Sequence, residues 1–169
     1  MKALLVSTYE DIGGASLAAK RLLDGLNRSG TNAQMYVQVK TTDDPRVITS
    51  DSRLYRSTTM VRDYADSAPL IFYKNRQKTS WSVGWLPYNI TKKIRLLNPD
   101  IVNFHWINGG FFPISQLRKI KVPIVLTLHD MWTFTGGCHY TGDCENYLTH
   151  CGACPQLGSQ GYRDLSYFL

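Results

Sequence analysis

The chain has no cationic start leading into an apolar signal core, and no run approaching the roughly eighteen apolar residues that a membrane-spanning helix needs. Secretion and membrane insertion are therefore not expected, and a soluble cytoplasmic protein is. There is no GxGxxG fingerprint and no glycine loop ending in Lys-Ser/Thr, so neither common nucleotide-phosphate motif is present. The aromatic-basic signature of an RNA-binding sheet is missing, which argues against nucleic acid. No internal repeat or low-complexity tract interrupts the chain. Cysteine is absent everywhere except in residues 138–154, where all four are found.

What remains is 169 residues, 43% of them hydrophobic, enough for one sizeable core and too few for two ordinary domains. The net charge of +6 is uneven. Between residues 53 and 95 stand Arg53, Arg56, Arg62, Lys74, Arg76, Lys78, Lys92, Lys93 and Arg95 against Asp63 and Asp66. Such a stretch attracts phosphates, nucleotide diphosphates or anionic lipid headgroups, or is simply a solvated basic surface.

The N-terminus reads as a strand (KALLVS), a glycine loop (TYEDIGGAS), a helix with apolar spacing through Leu17, Ala18, Leu22, Leu23 and Leu26, and a second strand (NAQMYVQV). Residues 40–50 read as a surface loop. A helix is expected from about Leu54 to Ala68, and another with Ile90, Ile94 and Leu97 on one face, ending at Asn98-Pro99. DIVNF reads as a strand, ISQLRKI as a short helix after Pro113, and VPIVLTL as the strongest strand pattern of all. Strands alternating with helices predict an α/β, Rossmann-like, doubly wound parallel sheet with helices on both faces.

In such a sheet ligands bind beyond the carboxyl ends of the strands. Three features fall there: Gly13, Gly14 and Ser16; His105, Trp106 and Asn108; and His129 with Asp130. The glycines open a helix whose free amides favour a diphosphate, or they only make a tight turn. His129 and, more weakly, His105 are candidates for contacting a substrate hydroxyl or stabilising charge, with Asp130 orienting the loop; either histidine can equally be a structural hydrogen-bonding group. Trp106, Trp132, Phe111 and Phe112 offer sugar-stacking faces or core. The expectation common to all is that Gly14, His105 and His129 emerge on one rim.

Cys138, Cys144, Cys151 and Cys154 are spaced C-x5-C-x6-C-x2-C. Clustering around a CxxC suits a tetrahedral structural zinc; reduced free thiols and disulfides are the alternatives. His139 and His150 are spare ligand candidates. No catalytic metal is expected, because four thiolates close the coordination shell.

The segments STYEDIGGASLAAKRLLDGL, PDIVNFHWINGG, VPIVLTLHDMWTFTGGCHY and CGACPQLGS together resemble the N-terminal, acceptor-side domain of a GT-B glycosyltransferase of the family 4 type, in the branch with colanic-acid and other exopolysaccharide transferases. That resemblance implies retaining, metal-independent transfer of a sugar from a nucleotide-diphosphate donor to a polysaccharide or lipid-linked acceptor. It places Gly13 and Gly14 near the donor diphosphate, His129 at the donor sugar, and His105 to Asn108 on the acceptor side. It also implies a second, donor-binding domain with paired glutamates. RDLSYFL ends on apolar residues, so a fragment inactive on its own is expected, with peripheral contact to the inner membrane through its basic segment. The competing expectation is a carbohydrate- or nucleotide-binding module without catalysis. A zinc-dependent nucleic-acid binder is disfavoured, since residues 138–154 hold Asp143 and Glu145 and no Lys or Arg.

Overall fold

A computed structural model describes residues 1–50, 52–88 and 90–169. Its centre is a five-stranded, wholly parallel sheet built from β1 (Lys2–Tyr9), β2 (Asn32–Val39), β3 (Val47–Ile48), β4 (Ile101–Phe104) and β5 (Ile124–Leu126), in the order β3-β2-β1-β4-β5. The chain winds outward from β1 in one direction through β2 and β3, and from β4 in the other through β5. The reversal between β1 and β4 leaves a crevice at the carboxyl ends of those two strands, the place where open parallel sheets receive ligands. Ala3 pairs with Ala33 and Ile101, and Val6 with Tyr36 and Phe104, so the register carries all three central strands to the same rim.

The alternation of β1 loads both faces. Ala3 and Leu5 pack with Ala19 and Leu23 of helix α1 (Gly14–Arg28), together with Ala33, Met35 and Val37 of β2. Leu4 and Val6 pack on the other face with Tyr36, Val102 and Phe104, against Ile90 and Ile94. A fully buried leucine such as Leu23 contributes about 2 kcal/mol through area removed from water. The second face is covered by α4 (Ile90–Leu97), which follows α2 (Arg53–Ser57) and α3 (Thr59–Ser67). Helix α1 on one face and the shorter α4 on the other are consistent with the expected α/β, Rossmann-like arrangement.

Several elements differ from their sequence patterns. Leu17 and Leu22 of α1 are exposed, and the buried stripe runs through Ser16, Ala19 and Leu23. The helix expected from Leu54 breaks at Thr58 into α2 and α3, then tightens into a 3-10 turn at Ala68–Phe72 carrying Pro69; the side chains of Leu54 and Met60 lie outside the description. The expected 89–100 segment begins at Asn89, also outside it. ISQLRK forms a 3-10 helix, Ile114–Lys119. The apolar run at 122–128 supplies only three strand residues, because β5 is the sheet edge and leaves Val125, Leu126 and Leu128 exposed. β3 lies in the stretch read as a loop. No helix among the described residues is long and apolar enough to cross a membrane.

Candidate functional site

β1, β4 and β5 each deliver a loop to the same rim. The loop after β1 turns at Gly13, whose φ of 84° favours glycine, and enters α1 at Gly14. The first helical hydrogen bond runs from the Leu17 amide to the Gly13 carbonyl, so the amides of Gly14, Ala15 and Ser16 precede the helical ladder. Nothing lies within 4 Å of where a Cβ on Gly14 would stand, and its φ is ordinary. Nothing inside the chain therefore requires glycine there; a side chain would project into the groove. That groove, about 450 Å3, is lined by Tyr9, Gly13, Gly14, Ser16, Trp106, His129, Asp130 and Tyr140.

The loop at Gly13 is held from below by Glu10, which is fully buried. Its carboxylate accepts from the Thr41 and Thr42 amides at 2.8 and 3.0 Å and from Lys20 at 3.1 Å, with the Thr42 hydroxyl also donating. Burial pushes the Glu10 pKa up, yet these donors outweigh it and hold it at about 2. A charge buried with this many partners fixes the exit of β1 against the exit of β2.

Trp106 and His129 form the facing wall. The Trp106 ring stacks on Tyr9 with centroids 6.0 Å apart, and its indole N–H donates to Asp130 at 3.1 Å. Asp130 also accepts from the Trp132 amide at 2.9 Å and from His139 Nδ1 at 2.6 Å, while His139 Nε2 meets the Ser82 hydroxyl at 2.9 Å. Burial raises the Asp130 pKa, but the His139 contact and the Trp132 and Trp106 donors bring it below the ordinary carboxylate value. Asp130 is thus a positioning group, committed to Trp106, Trp132 and His139.

His129 finds its partner in His105, with Nδ1 of His105 and Nε2 of His129 3.0 Å apart. Burial, reinforced by the neighbouring imidazole, lowers the His105 pKa to about 4, so His105 is neutral near pH 7. His105 Nε2 is buried without a partner. An unpaired ring lone pair costs less there than an unpaired N–H, so the proton belongs on Nδ1 and His105 donates to His129. His129 then carries its own proton on Nδ1.

His105 and Asn108 do not line the main groove. Both are buried behind it and border a small crevice between the loops after β4 and β5, together with Thr133. His105 Nε2, Asn108 Oδ1 and Thr133 Oγ1, all unpartnered, border that one crevice. Phe111, Phe112 and Trp132 are core. Of the aromatic residues singled out in the sequence, Trp106 alone stands in the groove.

Over 74 residues the chain is 32% identical to a protein of Escherichia coli (strain K12) whose name gives it, provisionally, as a colanic acid biosynthesis glycosyl transferase, WcaC. The relationship is to a glycosyltransferase. The match takes in 38% of this chain and 18% of that protein, so the aligned stretch spans less than a fifth of the relative's length. No family model matches the chain, and no solved structure matches it.

Beside this wall lies the cysteine segment. All four thiols are free, Cys138 and Cys154 buried and Cys144 and Cys151 half-buried, and all four line one small cavity. Burial pushes the thiols of Cys138, Cys151 and Cys154 up from their ordinary value. His139 is occupied by Asp130 and Ser82, and His150 packs edge-on against Tyr167 at 4.4 Å, so neither spare ligand candidate stands ready. Among the described residues, no group of three or more His, Cys, Asp or Glu side chains is placed so that it could hold a metal ion as it stands.

Sequence reasoning missed Tyr9 and Tyr140 in the groove, Glu10 beneath it, and the part His139 and Ser82 play in fixing Asp130. Glu10 carried one signal: a carboxylate immediately after an apolar strand must find partners if it is buried.

Proposed function

We propose that this chain forms the acceptor-side domain of a glycosyltransferase that moves a sugar from a nucleotide-diphosphate donor to a carbohydrate or lipid-linked hydroxyl. The observation that carries the reading is the groove in which the first turn of α1 faces Trp106 and His129 across the β1–β4 crevice. The amides of Gly14, Ala15 and Ser16 and the positive end of the α1 dipole favour a diphosphate. Trp106, held by Asp130 and backed by Tyr9, offers a fixed face on which a sugar ring can rest. His129, donating through Nδ1, would hydrogen-bond the donor sugar and stabilise charge as the bond to the diphosphate breaks. The retaining outcome, the absence of a catalytic metal and the need for a second, donor-binding domain come with the resemblance. The chain by itself is then expected to bind without turning over.

The acceptor side of the reading draws on a separate surface. Ile71 and Phe72 are 76% and 86% exposed at the end of the 3-10 turn, and Lys74, Arg76 and Lys78 follow them on the surface. Apolar side chains flanked by cations suit contact with an anionic lipid surface, as a lipid-linked acceptor requires.

Titration of the chain with nucleoside-diphosphate sugars, followed by tryptophan fluorescence, tests the donor half. Saturable quenching is expected, lost in Trp106→Phe. In the chain joined to its donor-binding domain, His129→Ala is expected to lower turnover by roughly a hundredfold, the scale for removing one donor to developing charge. Absence of binding by any nucleotide sugar, or unchanged turnover in the variant, removes the reading.

A further inference from the structure

The cysteine segment does something the groove does not explain. Residues 138–158 contain two 3-10 turns, Asn146–Leu148 and Pro155–Leu157, and one end of an isolated β-bridge, Cys138 to Trp81. The apolar cluster beneath them is small: Leu70, Trp81, Val83 and Leu157, with Cys138 and Cys154 themselves. Such a cluster is too little to hold a loop of this length in one shape, and short segments of this kind are ordinarily fixed by a cross-link or a metal.

Three features favour a metal over a disulfide. The four cysteines stand at separate points of the segment yet line one cavity of about 20 Å3, room for an ion and far too small for a sugar. The turn between Cys151 and Cys154 is tight: Gly152 has φ 146° and Ala153 φ 45°, and a Cβ on Gly152 would lie 2.3 Å from the Tyr162 carbonyl oxygen. An alanine in the left-handed region costs about 1 kcal/mol. Hydrogen bonds from Asn146 to the Gly152 carbonyl, from the Ala153 amide to the Gly161 carbonyl and from the Cys154 amide to Asp164 hold the turn there, so Cys151 and Cys154 are presented at a fixed spacing. A backbone donor is also aimed at one of the sulfurs: the Gly136 amide donates to Cys151 Sγ at 3.2 Å, the kind of contact that supports a metal-bound thiolate.

We propose that Cys138, Cys144, Cys151 and Cys154 form a tetrahedral, structural zinc site that fixes this segment against the wall of the groove. Binding forms four Zn–S bonds and releases four thiol protons to solvent, and leaves no open position for substrate. Binding draws together four cysteines that border the same cavity. Its mechanical role follows from the neighbour of Cys138: His139 is held on Asp130, and Asp130 holds Trp106. Fixing Cys138 therefore fixes the far end of the chain of contacts that sets the Trp106 ring.

The test is elemental analysis of the 169-residue chain expressed in unsupplemented medium and purified without chelator. About one zinc per chain is expected, released in step with modification of the four thiols by a mercurial. Exchange for cobalt(II) is expected to give the intense visible absorption of a tetrahedral thiolate set. The double variant Cys144→Ser with Cys151→Ser should lose the metal; should it fail to fold, the cobalt spectrum of the unaltered chain still decides. Three results would overturn the proposal: under roughly a tenth of an ion of any metal per chain, an intact mass lowered by one or two hydrogen pairs, showing disulfides, or full zinc content in a folded double variant.

Discussion

Glu10 gives the sharpest quantitative prediction, because a fully buried carboxylate beside the glycine loop is stable as an anion only through its donors. Its folded pKa of about 2 against an ordinary 4.5 corresponds to roughly 3 kcal/mol in favour of the ionised, bonded state. The sign follows from the depression. The contribution is complete above the unfolded value of 4.5 and disappears as the pH falls through about 2. Glu10→Gln keeps the shape and removes the charge, leaving Lys20 with Asp44 alone. Urea unfolding of both proteins, followed by circular dichroism, should show the variant less stable by roughly 3 kcal/mol near neutral pH. The gap should narrow to about 1.4 kcal/mol near pH 3 and below about 0.5 kcal/mol near pH 2. Parallel pH profiles for the two proteins would refute the argument, since a constant gap means that the charge on Glu10 is not what the network recognises.

The two glycines should separate. Gly14→Leu, with open space around its Cβ and an ordinary φ, is expected to leave stability within about 1 kcal/mol while weakening nucleotide-sugar binding at least about tenfold; equal losses in both would make Gly14 structural. Gly13→Ala, at φ 84°, should cost about 1–2 kcal/mol in the same unfolding assay, and no cost would show that the loop relaxes freely. For the exposed turn, sedimentation with phosphatidylserine vesicles should retain the chain at low salt and release it at high salt. Phe72→Asp should weaken that binding about tenfold or more, and indifference to both salt and Phe72 would remove the membrane-surface role.

The fold was legible where burial on both faces writes a continuous apolar run. LLV in β1 and the helix after Gly14 have no other stable reading, and β2 follows from the same unit. Edges were less legible. β3 is two residues long and borrows its register from Met35 and Tyr36, while VPIVLTL has the composition of a central strand but lies at the sheet edge. The rim positions of Gly14 and His129 were legible because strand ends are. The partnerships were not. His129 and Asp130 are adjacent in sequence but pair in different directions, one with His105 just after β4 and the other with His139 from the cysteine segment. Contacts of that kind join one irregular segment to another, 24 residues apart in the first case and nine in the second, and leave no periodic trace.

The exposed edge of β5 has its own consequence. Its backbone runs through Thr127 and Leu128 directly into His129, so polypeptide that adds a strand along Ile124–Leu126 is carried to the mouth of the groove. A second molecule docking there by backbone pairing would become a neighbour of whatever occupies the groove. Occupancy of that edge would then bear on access to His129.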